Sequence, residues 1–133
     1  MSRELVERYL GAIDAWNRGD LDGWLNLAAD EWHTTGTFPG IEPVYRGREG
    51  MRAIWEYLRA PWESARSVQI DVERVEDLGD TVLGLTTLRA RGGEGGAETT
   101  MKVAYVLTDE GGVLRLRNYL SWDEALRAVG LGE

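Results

Sequence analysis

The chain has 133 residues and a formal net charge of −8, and it contains no cysteine and a single histidine, His33. Because disulfides and thiolate metal sites need cysteine, and most zinc and haem sites need more histidine, we expect no metal and no cofactor. The negative charge disfavours nucleic acid and anionic membranes as partners, since both bind basic surfaces.

The length fits one domain that spans residues 1–133. The first residues, Met1 to Glu4, are charged where a signal peptide needs an apolar run, and no stretch approaches the ~20 apolar residues of a membrane span. We therefore expect a cytoplasmic protein.

Three amphipathic helices are predicted before residue 61. In the first helix, apolar residues recur every three or four positions at Leu5, Tyr9, Ala12, Ile13 and Trp16. Gly19 ends this helix, and Asp20 caps a shorter second one. The third helix carries Met51, Ile54, Trp55 and Leu58 on one face and ends at Pro61.

The rest of the chain is rich in β-strand signals. A short strand is predicted over 32–38, and Val44-Tyr45 favours another. From Ser67 to Trp122, three glycine-rich turns at 78–80, 92–96 and 109–112 separate four long segments. Long strands joined by tight turns must twist and bend, so we expect a concave face that helices or a ligand fill.

Alternation along these strands predicts which side chains share a face. Val68, Ile70 and Val72 alternate with polar residues, whereas both middle strands are apolar on both faces. We expect helices and a pocket on the concave side and a second subunit, forming a homodimer, on the convex side. In the last strand, Leu114, Leu116, Leu120 and Trp122 are expected to share the concave face with Asn118. Ser121 then caps a closing helix.

Several segments resemble one known family. They are 15–21 (AWNRGDL), 32–40 (WHTTGTFPG), 44–50 (VYRGREG), Gly79-Asp80 and the tail 122–131 (WDEALRAVGL). Their order and spacing are similar to those of the SnoaL-like branch of the nuclear transport factor 2-like superfamily, over nearly the whole chain. The resemblance implies an α+β cone, in which a strongly bent antiparallel sheet wraps around N-terminal helices and encloses an internal pocket. It also implies a homodimer, and it implies no single activity, because isomerases, polyketide cyclases, epoxide hydrolases and binding modules share the fold.

The resemblance also allows known mechanisms to be compared with this sequence. Ketosteroid isomerases on this fold use an Asp base with a Tyr and a protonated Asp as oxyanion donors. Those positions fall near Gly36, Ala12 and Ala104, so we expect that none of these three groups is present. The strands also contain no Arg-x-Asp pair of the kind that the epoxide hydrolases need.

The remaining candidates for a site are one histidine, one amide and a set of aromatic rings. His33 is the only side chain that titrates near neutrality without a shift, and it is either a base in the pocket or an ordinary surface histidine. Six tryptophans exceed what packing requires, which favours an aromatic pocket lining. Asn118 would orient a ligand inside an apolar cup or bond a neighbouring group. The predicted pocket residues are Trp16, Trp32, Tyr45, Trp55, Trp62, Asn118 and Trp122.

We therefore predict a protein that binds a small apolar or aromatic molecule inside the cone. One version is an enzyme that uses His33 for general acid–base isomerisation, cyclisation or hydrolysis. The alternative is a binding or sequestering module without catalysis, which the missing carboxylates favour.

Overall fold

The computed structural model describes residues 2–27, 30–34, 44–59, 68–91 and 98–131. It contains four helices and six strands in these ranges. In chain order the elements are α1 (Ser2–Arg18), α2 (Leu21–Leu27), β1 (Glu31–Thr34), β2 (Val44–Arg46), α3 (Gly47–Arg59), β3 (Val68–Asp77), β4 (Thr81–Arg91), β5 (Glu98–Glu110), β6 (Val113–Tyr119) and α4 (Trp122–Ala128).

Capping geometry confirms the predicted end of α1 and the predicted starts of α2 and α4, whereas Pro61, the predicted end of α3, lies outside the described residues. Gly19 takes a φ of 73°, which ends α1 in the left-handed region that glycine tolerates. The Asp20 carboxylate accepts a hydrogen bond of 2.9 Å from the Gly23 amide and so caps α2. Ser121 caps α4 by accepting a hydrogen bond of 3.3 Å from the Glu124 amide.

The strands form one six-stranded sheet in the order β2-β1-β6-β5-β4-β3. The meander β3 to β6 is antiparallel throughout, as the sequence predicts. The pairing of β1 with β6 is parallel, which the expectation of a purely antiparallel sheet missed. Because β1 and β6 are separated by most of the chain, no turn signal between them could have indicated their direction.

Helices cover both faces of this sheet. On the inner face, α1, α2 and α3 pack with the sheet into the main hydrophobic core, which includes Trp16, Ile54 and Val82. On the outer face, α4 packs over a second cluster that contains Leu83, Leu85, Ala104 and Ala125. The apolar outer residues of β4 and β5 are therefore covered, at least in part, by the chain's own last helix. The homodimer stays a prediction.

The sheet bends at β3. The register between β3 and β4 shifts between Val72 and Arg74, which marks a β-bulge with one extra residue on β3. A bulge increases local twist, so β3 curves over α1. The contacts between α1 and β3 then hold this curvature in place.

Asn17, at the end of α1, protects the free edge of the sheet. Its amide nitrogen donates to the Ile70 carbonyl at 2.8 Å, and its carbonyl oxygen accepts from the Ile70 amide at 2.7 Å. These two bonds occupy backbone groups of an edge strand that would otherwise be open to another chain. Trp16 adds a third hydrogen bond between α1 and β3, since its indole N–H donates to the Val68 carbonyl at 3.1 Å.

Candidate functional site

A connected set of aromatic rings lies on the inner face. The ring centroids of Trp16 and Trp55 are 4.9 Å apart, and Trp24 lies 5.5 Å from Trp16 and 5.4 Å from Trp55. The set continues from Trp24 to Trp32 at 6.3 Å and from Trp32 to Tyr105 at 5.9 Å. These edge-on and tilted geometries are those that aromatic pairs prefer. The structure therefore brings together Trp16, Trp32 and Trp55 from the predicted set.

Asn118 lies among these rings, as strand alternation predicts. It is buried on the inner face of β6, and its side-chain oxygen accepts a hydrogen bond of 3.1 Å from the Trp32 indole N–H. Register explains the pairing, because Thr34 is opposite Asn118 and so Trp32 is two positions along the same face of β1. Asn118 thus fixes the orientation of the Trp32 ring.

The hydroxyl group of Tyr9 is the one buried side-chain polar atom without a hydrogen-bond partner among the described residues. Tyr9 projects from α1 onto the inner face of β4, where it meets Gly84. A Cβ atom at position 84 would lie 2.1 Å from the Tyr9 hydroxyl oxygen, so only glycine leaves room for this phenol. The Tyr9 hydroxyl, which α1 positions, is therefore buried against the backbone of β4 at Gly84.

Tyr105 stands next to Tyr9, with the two ring centroids 6.4 Å apart. Burial raises the pKa of both phenols well above the ordinary value of 10, and for Tyr9 the neighbouring Tyr105 adds to the shift. Both hydroxyl groups therefore stay protonated at physiological pH. They can donate a hydrogen bond, but they cannot act as bases.

His33 does not face this interior. It lies on the outer face of β1 opposite Arg117, while its neighbour Trp32 points inward. The His33 ring nitrogen Nε2 is 3.0 Å from Glu31, which also pairs with Arg115 at 3.1 Å. The expectation that His33 reaches the pocket is therefore wrong. The parity of β1 decides the matter, because Trp32 takes the inward position.

Glu31 is the centre of this outer polar cluster. The hydrogen bond that the Glu31 carboxylate accepts from the His33 ring, and then the one that it accepts from Arg115, hold the pKa of this carboxyl below its usual value of 4.5. Arg46 lies 3.7 Å away and adds a weaker attraction.

The other predicted site residues divide into three groups. Tyr45 is half-buried and packs against the inner core beside Trp32. Trp122 packs on the outer face, because β6 ends at Tyr119 and the following turn carries the ring to the other side of the sheet. There its indole N–H donates to the Thr86 carbonyl at 3.1 Å, and the Lys102 ammonium lies 4.3 Å from the ring centroid. The expectation that Trp122 shares a face with Leu114 and Asn118 is wrong. Trp62 lies outside the described residues.

The positions compared with ketosteroid isomerases also separate. Ala12 is buried on the inner side, Ala104 is buried in the outer cluster, and Gly36 lies outside the described residues. Within the described ranges, the buried polar residues are Thr86 and Asn118, so no carboxylate or imidazole is buried there. In the same ranges no group of three acidic or histidine side chains is arranged to hold a metal ion.

Sequence reasoning missed Trp24, Tyr105 and Gly84 as parts of this site. The signals were present but weak. Tyr105 alternates with the apolar Val103 and Leu107, and Gly84 is a lone glycine inside a strand, which often marks the close approach of another group.

The sequence profile of the SnoaL-like domain family matches residues 6–116 of the chain. The chain therefore belongs to this family. No curated protein sequence matches it significantly. Within the described part of the chain, no helix has both the length and the apolar composition needed to cross a bilayer.

Solved structures with low sequence identity share the whole fold. TerC, crystallised with polyporic acid, is 16% identical, with a TM-score of 0.71 over 93% of this chain and 96% of its own. A nuclear transport factor 2-like protein of unknown function from Burkholderia pseudomallei is 19% identical, with a TM-score of 0.71 over 94% and 96% of the two chains. A protein with a ketosteroid isomerase-like fold from Catenulispora acidiphila, in complex with trimethylamine, is 20% identical, with a TM-score of 0.66 over 94% and 93%. The fold is accordingly the nuclear transport factor 2-like α+β cone.

Proposed function

We propose that this protein binds a small, largely apolar or aromatic molecule at the inner face of the sheet, and that the Tyr9 hydroxyl donates a hydrogen bond to it. The observation that carries the proposal is the unpartnered, buried hydroxyl group of Tyr9. Leaving such a group unsatisfied costs about 1–3 kcal/mol, and folded proteins seldom retain that cost without a reason. A ligand with a hydrogen-bond acceptor would remove it.

The surroundings of Tyr9 define the chemistry of this ligand. The connected rings from Trp16 to Tyr105 supply the apolar and aromatic contacts that small-molecule sites typically have. The raised pKa values of Tyr9 and Tyr105 keep both phenols as donors, so the complementary group is a neutral acceptor such as a carbonyl oxygen. Two structural neighbours, TerC and the Catenulispora protein, were crystallised with small molecules, which is consistent with this use of the fold.

Binding without catalysis needs only the aromatic rings and the phenol donors of the inner face. The acid–base alternative needs a base near the ligand, and His33, the proposed base, faces the opposite side of the sheet beside Glu31. We therefore favour binding over isomerisation, cyclisation or hydrolysis as the function.

Two probes of the same shape test the proposal by isothermal titration calorimetry. They are 2-acetylnaphthalene, whose carbonyl accepts a hydrogen bond, and 2-isopropylnaphthalene, which has no hydrogen-bond acceptor. We expect the ketone to bind about tenfold more tightly, which corresponds to about 1.4 kcal/mol. In Tyr9→Phe this preference should disappear, while the affinity for the hydrocarbon stays the same.

The matched control is Thr87→Val, which also removes one hydroxyl group; Thr87 lies in β4 away from both Tyr9 and the outer side-chain donors, and its hydroxyl donates to Glu73 at 2.8 Å. It should leave the affinities for both probes unchanged. Failure of both probes to bind the folded protein, or an unchanged preference in Tyr9→Phe, would contradict the proposal.

A further inference from the structure

A groove runs along the outer face of the sheet, between the end of α4 and strands β4, β5 and β6. We call it the outer groove. Its volume is about 340 Å³, and its lining includes Leu78, Val106, Val129, Thr108, Arg117 and Tyr119. This volume lies within the range of small-molecule sites in proteins. The groove lies on the opposite side of the sheet from Tyr9 and is independent of the function proposed above.

The lining of the outer groove is apolar on its floor and polar along one side. Leu78, Val106 and Val129 belong to the outer hydrophobic cluster. Strand β6 adds the Arg117 guanidinium and the Tyr119 phenol, both on its outer face. An amphipathic molecule would therefore meet apolar groups along its body and hydrogen-bond donors at one end.

Arg117 differs from the other cations on this part of the outer face. Arg46 and Arg115 both pair with Glu31, and Arg115 also pairs with Glu110. Arg117 makes no ion pair with any residue in the described ranges, although it is next to this cluster. Arg46 and Arg115 thus share two glutamates, and Arg117 adds a positive charge beside them in a chain whose net charge is −8. A free guanidinium prefers a carboxylate, which it binds with two parallel hydrogen bonds.

The acids near the groove lie at its other end. Asp80 accepts a hydrogen bond from the Thr81 hydroxyl at 3.2 Å, and Asp109 accepts one from the Gly112 amide at 2.8 Å. Asp80 directly precedes Thr81 and Asp109 directly follows Thr108, and these two strand residues pair with each other. Arg117 pairs with Val106 instead, so both acids lie away from it along the strands. An anionic group in the groove is therefore favoured at the Arg117 end.

We propose that the outer groove is a second ligand site, which binds an amphipathic monocarboxylate. The carboxylate pairs with Arg117 and accepts a hydrogen bond from Tyr119, while the apolar body packs against Leu78, Val106 and Val129.

Octanoate and octanol test this assignment, because they share one apolar chain and differ in charge. Titrations are followed by the methyl resonances of Val106 and Val129 in ¹³C-labelled protein, with Val68 and Val82 reporting on the inner face. We expect octanoate to shift the two outer valines saturably and to bind about fivefold more tightly than octanol at low salt. The preference should fall in 1 M NaCl, where such a pair is screened.

Two arginine variants separate the site from a general charge effect. Arg117→Gln should abolish the preference for octanoate, whereas Arg127→Gln, which removes an exposed charge from α4, should leave it unchanged. Tyr9→Phe should also leave it unchanged, so failure here and failure of the inner-face proposal are distinguishable. Shifts confined to the inner valines, equal affinities for the two probes, or an effect of Arg127→Gln equal to that of Arg117→Gln would overturn the assignment. A dimer that buries Val106 and excludes both probes would overturn it too.

Discussion

Gly84→Ala tests the contact that positions the Tyr9 hydroxyl. The new methyl carbon would lie 2.1 Å from the Tyr9 hydroxyl oxygen and 2.4 Å from the ring carbon that carries it, far inside van der Waals contact. The ring has little room to retreat, because Tyr9 is only 4% exposed and Tyr105 is beside it. Side chains must therefore leave their preferred rotamers, or the backbone of α1 must shift away from β4.

The magnitude follows from two opposing effects. Inserting a methyl group into a packed core costs about 1–3 kcal/mol. Replacing glycine by alanine also restricts the unfolded chain, which returns about 0.4–1 kcal/mol. We therefore expect Gly84→Ala to lower the free energy of unfolding by about 1–2 kcal/mol.

Urea unfolding followed by circular dichroism measures this loss, and a double mutant assigns it to the contact. Tyr9→Leu removes the distal ring atoms, so Gly84→Ala should cost much less in that background. Leu10→Ala is the control, since Leu10 is the next residue in α1 but is 39% exposed, and its effect should add to that of Gly84→Ala. Full additivity with Tyr9→Leu, or wild-type stability of Gly84→Ala, would refute the reasoning.

Three further predictions concern the polar groups. Asn118→Leu should lower the free energy of unfolding by about 1–3 kcal/mol, because it leaves the Trp32 indole N–H buried without its acceptor. In urea unfolding, adding Trp32→Phe should recover part of this loss. No recovery would count against the Trp32–Asn118 hydrogen bond. Glu31→Gln should lower the melting temperature near neutral pH. Because the pKa of Glu31 is lowered in the folded state, the difference in melting temperature from wild type should vanish as the pH falls from 4.5 through that lowered pKa. A difference that persists in acid would contradict the ion-pair argument. Because burial raises the pKa values of Tyr9 and Tyr105, stability should fall as the pH rises above about 10, where unfolded tyrosines ionise. An absorbance titration at 295 nm follows the ionisation of the phenols. Tyr9→Phe and Tyr105→Phe should each remove one phenol from the ionisation step that coincides with unfolding. Ionisation of both phenols in the folded protein would refute this.

Much of this fold is determined by local sequence patterns. A turn with Gly79 precedes β4 and a turn with Gly111 and Gly112 follows β5, while the turn predicted at 92–96 lies outside the described residues. Alternation along β6 places Asn118 on the inner face. Asp20 and Ser121 cap the helices that they precede. These features follow from interactions between residues close in the chain, so a single sequence contains them in full.

The sites depend on contacts that no local pattern specifies. Because Trp32 takes the inward position, His33 lies on the outer face of β1, where it contacts Glu31 on the same face. The sequence shows that the outer residues of β4 and β5 are apolar, but not which element covers them. In the structure α4 packs over part of this surface and places Trp122 there.

Tyr9 shows most clearly what only the tertiary structure decided. Its spacing in α1 predicts a core residue, and it is buried, yet the sequence gives no indication that its hydroxyl has no partner among the described residues. That outcome depends on Gly84 and Tyr105, which approach from two strands more than 70 residues further along the chain. Apolar periodicity reports which face of an element is buried, because burial depends on the average polarity of that face. Hydrogen bonding depends on individual atoms brought together from distant segments, and for this reason the candidate site could be identified only once the chain was folded.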